Sequence, residues 1–165
     1  SWLDPAHMAN AAQLVHDALL AAAPQHKDEF ASNLAETLTD LNDLNADFDK
    51  GLAECEQRSF VTSHAAFAYL ADAFDLKQVA VFGVDSHSEP SPAQLARTVA
   101  YLKQNQITTV FAQSANDPTA KALARESGAK TALLNPLEFT PPAAEDYISV
   151  MRENLSALRK GLGCA

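Results

Sequence analysis

Val61-Thr62-Ser63-His64-Ala65-Ala66-Phe67-Ala68-Tyr69-Leu70 decides how this chain is read, because a short β-prone run stops at Ser-His and a helical pattern begins. One imidazole is thereby set at a strand-to-helix turn. In an open α/β sheet, ligands bind at the carboxyl ends of the strands, so His64 is a candidate site residue. A helix N-terminus there disfavours imidazolium and leaves the ring neutral, as a metal ligand must be. A capping or packing role for His64 is equally open at this point.

The pattern around that turn repeats downstream. Short β-prone runs at 60–62, 79–83, 108–112 and 131–134 alternate with helical segments, a βαβ rhythm that implies a parallel sheet with right-handed crossovers. Ser91-Pro92 and Asp117-Pro118 are helix starts, Gly128 is a helix stop, and a last helix is expected over about 144–162. Upstream, Asp4-Pro5 opens a helix over 5–23 that Pro24 ends. Phe30, Leu34, Leu38, Leu41, Leu44, Phe48 and Leu52 then recur at three- and four-residue intervals, predicting a second helix over 25–56. Its length, about 48 Å, exceeds what a small domain needs and suits a helix that spans two lobes or packs on another chain. The expected fold class is α/β: a helical segment over 1–56 containing this long helix, then a four-stranded parallel sheet lobe over 57–165 flanked by helices.

Composition narrows the function. The chain has 165 residues, 47% of them apolar, enough for one domain with a core. A net charge of −9 and scattered Lys and Arg argue against nucleic acid or an anionic membrane as partner. No apolar run is long enough to span a bilayer. The chain starts at Ser1 without a signal peptide and is expected to be a mature or trimmed product.

The loops after the four runs carry Ser63-His64, Asp85 to Glu89, Gln113-Ser114, and Asn135-Pro136-Leu137-Glu138, all at one sheet edge. Imidazole and carboxylates together suit a divalent metal, zinc above all. Several of these residues also have plain turn roles: Glu89 before Pro90, Asp85 in a turn, Asn135 before Pro136, and Gln113 satisfying backbone groups. His7, His16, His26 and His87 lack the spacing of a helical zinc site and read as surface residues. No GxSxG elbow and no glycine-rich phosphate loop are present. Cys55 and Cys164 lie outside any metal-ligand spacing: in an oxidising compartment they could close a loop of roughly 110 residues, worth about 4–5 kcal/mol, and in a reducing one they are thiols.

Taken in order, Trp2-Leu3-Asp4-Pro5, Val61 to Leu70, Glu89-Pro90-Ser91-Pro92, Leu134-Asn135-Pro136-Leu137-Glu138, and Tyr147 with Met151-Arg152-Glu153-Asn154-Leu155 resemble the C-terminal half of the solute-binding proteins of zinc and manganese ABC importers. The resemblance covers essentially the whole chain. It implies two α/β lobes joined by a rigid helix, metal between the lobes, limited hinge motion and no enzymatic activity. It makes His64 a metal ligand, favouring Zn(II) over Mn(II), and Glu138 the acid ligand. Asn135 and Gln113 become supporting residues behind the ligands, with Asn135 alternatively a ligand itself. Gln113 departs from relatives that commonly carry Glu there.

The resemblance places another histidine ligand two residues before Trp2, outside this chain, and one more in an N-terminal lobe absent here. Two of four ligands remain. The implied partners are that N-terminal lobe and an ABC permease in the membrane. The implied location is periplasmic or extracellular, with a lipid anchor in some members, where a Cys55–Cys164 disulfide is favoured. The rival readings are a manganese-binding or adhesin relative of the same fold, or a stand-alone hydrolase with His64 as general base oriented by Asp85 or Glu89.

Overall fold

The computed structural model describes residues 1–81, 90–138 and 145–165. Asp85, His87 and Glu89 lie outside the described residues. The chain opens with α1 (Pro5–Ala22), where Asp4 accepts from the backbone N–H groups of Ala6 and His7 and Pro5 sits in the first turn. Pro24 ends it through one 3-10 turn, Pro24–His26, and α2 follows over Lys27–Leu52. At 26 residues it is about 39 Å long. It is shorter than the periodicity predicted at both ends, because the 3-10 turn replaces its first residues and Arg58 closes its last turn. The Arg58 guanidinium donates to Leu52 O at 2.6 Å and to the carbonyls of Phe74 and Asp75 at 2.8 and 2.7 Å.

The strands are β1 (Ser59–Thr62), β2 (Lys77–Ala80), β3 (Thr109–Ala112) and β4 (Lys130–Leu133), all parallel in the order β2-β1-β3-β4. Parallel neighbours need crossovers. The helices α3 (Ala68–Ala73), α4 (Pro92–Gln104) and α5 (Pro118–Ser127) lie between successive strands, and α6 (Tyr147–Leu162) follows β4. β2 begins two residues earlier than its apolar run because Lys77 and Gln78 lie on an edge strand, where polar residues are tolerated. α6 begins at Tyr147 because Asp146 caps it reciprocally with Ser149. Gly128 ends α5 at φ +83°, the left-handed conformation glycine adopts without a Cβ penalty.

Alternation along the strands builds two cores. Phe60 and Phe111 face one side, with Leu44, Phe48 and Leu52 of α2, Leu70 of α3, and Met151 and Leu158 of α6. Val61, Val110 and Ala112 face the other, with Leu102 of α4 and Leu123 of α5. Only residues from Leu41 onward are buried in α2, while Phe30, Leu34 and Leu38 are half-covered beside α1. The C-terminal half of α2 therefore belongs to the sheet's core, and its first half pairs with α1 alone.

The chain end is stitched to the region after α2. Ala165 N–H donates to Glu54 O at 3.0 Å, Gln57 N–H donates to Leu162 O at 3.0 Å, and Cys55 and Cys164 form a disulfide. No described helix is long and apolar enough to cross a membrane.

Candidate metal centre

Strand order locates the site. β1 connects outward to β2, whereas β2 connects back across β1 to β3, so the direction of winding reverses between β1 and β3. Loops leaving the carboxyl ends of those two strands diverge there and open a crevice. His64 follows β1, Gln113 follows β3, and Glu138 follows β4.

His64 and Glu138, 74 residues apart in sequence, meet at this edge. Nε2 of the half-buried imidazole lies 2.8 Å from Glu138 Oε1. Zinc bound tetrahedrally by one nitrogen and one oxygen at about 2.0–2.2 Å holds them about 3.4 Å apart, a separation this pair reaches by a small side-chain rotation. Among the described residues no cluster of three or more His, Cys, Asp or Glu could hold a metal. The helix end expected beside His64 lies farther on: α3 starts at Ala68 with Phe67 as its N-cap, and Glu138 orients the ring instead.

Each of the two loops is braced from behind. Ser63 Oγ donates to buried Asp117 Oδ2 at 2.5 Å, and Asp117 also caps α5 through Ala120 N–H at 3.0 Å and receives Gln113 N–H at 3.3 Å. One carboxylate thus ties together the turns after β1 and β3. Asn135 Oδ1 accepts from Leu137 N–H at 2.9 Å, an Asx turn that lets Leu137 adopt φ +55°. Buried Asn154 grips the same loop from α6, accepting from Asn135 N–H at 2.7 Å and donating to Asn135 O at 2.8 Å. Asn135 therefore shapes the loop that presents Glu138. Gln113 reaches the network through its backbone, and among the described residues no hydrogen bond joins its side chain to the His64–Glu138 pair.

The N-terminal residues close on this loop. Trp2 Nε1 donates to Pro136 O at 2.7 Å, and Tyr147 Oη donates to Trp2 O at 2.9 Å. Burial raises the Tyr147 pKa, with the Asp4 charge adding to it, so the phenol stays a donor. His7 and His26 are exposed, and His7 pairs with Asp4. His16 is more covered than its spacing suggested, because it lies on the α1 face that packs over α2.

Sequence reasoning singled out His64 and Glu138, which the structure brings together, and the Asp117 cap. It missed the bracing roles of Asp117 and Asn154.

The profile of the periplasmic zinc-uptake complex component A family, ZnuA, matches residues 1–161. Zinc-binding lipoprotein AdcA of Streptococcus pneumoniae is 41% identical over 164 residues, covering 96% of this chain and 33% of AdcA. The high-affinity zinc uptake system protein ZnuA of Bacillus subtilis is 33% identical over 166 residues, covering 98% of this chain and 52% of its own length. The crystal structure of the Zn(II)-bound ZnuA-like domain of Streptococcus pneumoniae AdcA matches with a TM-score of 0.83 at 40% identity, covering 98% of this chain and 62% of that one. The chain spans about a third to a half of the length of these curated relatives. With a match running from the Trp2 segment through both braced loops into α6, the chain belongs to the zinc-uptake complex component A family, a family of transport components rather than enzymes.

Proposed function

We propose that this chain is the part of an extracytoplasmic zinc-capture protein that contributes His64 and Glu138 to the ion's coordination sphere. The observation that carries the reading is the 2.8 Å approach of His64 Nε2 to Glu138 Oε1 at the sheet's switch point. Zinc is the cargo here, not a resident catalyst. A neutral imidazole and a carboxylate suit zinc, and two protein ligands leave two tetrahedral positions for donors from outside these residues. In this reading a histidine two residues before Trp2 and one from an N-terminal lobe supply them, the segment 1–56 acts as the strut between lobes, and Asn135 supports the Glu138 loop. Gln113 stands farther back, through the Asp117 network.

The ion is then handed to an ABC permease in the membrane. Capture takes place in the periplasm or outside the cell, with lipid anchoring in keeping with the lipoprotein name of AdcA. The Cys55–Cys164 disulfide supports an oxidising compartment.

Calorimetric zinc titration of the whole protein, beside its His64→Ala and Glu138→Gln variants, tests this. Each substitution is expected to weaken zinc binding by more than about 100-fold, beyond the usual effect of losing a residue behind a ligand. Unchanged affinity in either variant contradicts that ligand's assignment.

A further inference from the structure

Gln78 belongs to neither core cluster and has no part in the His64–Glu138 pair, yet its side-chain amide nitrogen is committed to two acceptors. It lies half-buried in β2, in register with Phe60 of β1. From there Nε2 donates to Thr62 Oγ1 at 2.7 Å and to His64 O at 2.9 Å. Thr62, itself buried, donates its hydroxyl proton to the same His64 carbonyl at 2.8 Å. Gln78, Thr62 and the His64 carbonyl form a closed triangle, and both lone pairs of that carbonyl are used.

Such a triangle is not required by the fold. β2 is an edge strand, and an amide there satisfies itself with water at no cost. The His64 carbonyl stands just past the end of β1, where a loop carbonyl ordinarily faces solvent. Two side-chain donors converging on it restrain the backbone that carries the imidazole. Ligand constellations function when held within about 0.5 Å and 10–20° of their working geometry. Residues behind the ligands supply that restraint.

We propose that Gln78, acting with the Thr62 hydroxyl, is a positioning residue for zinc capture: it clamps the His64 carbonyl and thereby fixes the aim of the imidazole at Glu138. This rests on the reading of His64 as a zinc ligand. Gln78 itself does not touch the ion.

The test compares the 165-residue chain with Gln78→Met, Thr62→Val and His64→Ala. Gln78→Met keeps length and removes the donors; Thr62→Val keeps volume and removes the hydroxyl. Three quantities are read: the melting temperature, the His64 ring signals by proton–nitrogen NMR without metal, and the zinc concentration that half-shifts those signals. The expected result is a single ordered set of His64 signals in the parent chain, broadened or averaged in Gln78→Met and Thr62→Val. Zinc binding at His64 should weaken about 10-fold in both.

A lowered melting temperature with parental His64 signals would make Gln78 a merely structural residue and overturn the proposal. So would zinc affinity within about 2-fold of the parent. If Gln78→Met fails to fold, Thr62→Val decides on the same readouts. Zinc that binds the parent and His64→Ala chains equally in a calorimetric titration, leaving the parent's His64 signals unshifted, refutes the metal reading itself, and the metal-free His64 signals still decide whether the clamp exists.

Discussion

At the residue scale, one buried carboxylate does more than its sequence context announced. Asp117 read as an N-cap, and it is one, but it also receives Ser63 Oγ and Gln113 N–H. Replacing Asp117 with Ala removes the cap and leaves a buried hydroxyl and a half-buried N–H unpaired, which together should cost about 2–3 kcal/mol in denaturant unfolding. A loss below about 0.5 kcal/mol would show that water restores these bonds. His64 and the Asn135–Glu138 loop stood out as polar residues just past β-prone runs, and the family resemblance singled out Glu138 within that loop. Gln78, Asn154 and the Ser63 role of Asp117 did not, because their partners lie 14 to 54 residues away and no local spacing encodes those pairings.

At the element scale, the existence and order of the helices and strands followed from periodicity, capping residues and turn chemistry. Their ends did not. α2 lost its first turn to a 3-10 turn and its last to the Arg58 clasp, and β2 gained two polar residues at the sheet edge. Packing distance was equally hidden. A Cβ added at Gly161 of α6 would lie 2.4 Å from Phe111 Cζ and 3.1 Å from Thr109 Cγ2. Phe111 is buried edge-on against Phe60 and has no room to retreat. Gly161→Ala should therefore destabilise by about 1–2 kcal/mol, overpacking outweighing the roughly 1 kcal/mol that alanine gains in a helix interior. Increased stability on thermal or denaturant unfolding would mean that α6 shifts freely on the sheet.

At the scale of the whole molecule, the chain is closed at both ends on the sheet lobe. The disulfide joins Cys55, just past α2, to Cys164, just past α6, across a sequence separation of 109. Chain entropy assigns such a loop about 4–5 kcal/mol, so reduction should lower the melting temperature by roughly 10–20 °C. A shift of only a few degrees would put the stabilisation in the backbone bonds that already stitch Glu54 and Gln57 to the chain end. The other end is latched by Trp2 on Pro136 and by Tyr147 on Trp2, which brings the first residues to the loop presenting Glu138. α2 is buried in the lobe only from Leu41 onward, and its first half continues beyond the sheet's core with α1 alone.

The central claim is that His64 and Glu138 take a zinc ion together. A crystal of the chain grown with zinc, with data collected at the zinc absorption edge, tests it most directly. The account predicts an anomalous peak about 2.0–2.2 Å from both His64 Nε2 and a Glu138 carboxylate oxygen, the two moved apart to about 3.4 Å. An ordered zinc elsewhere, with the 2.8 Å His64–Glu138 hydrogen bond intact, would contradict it.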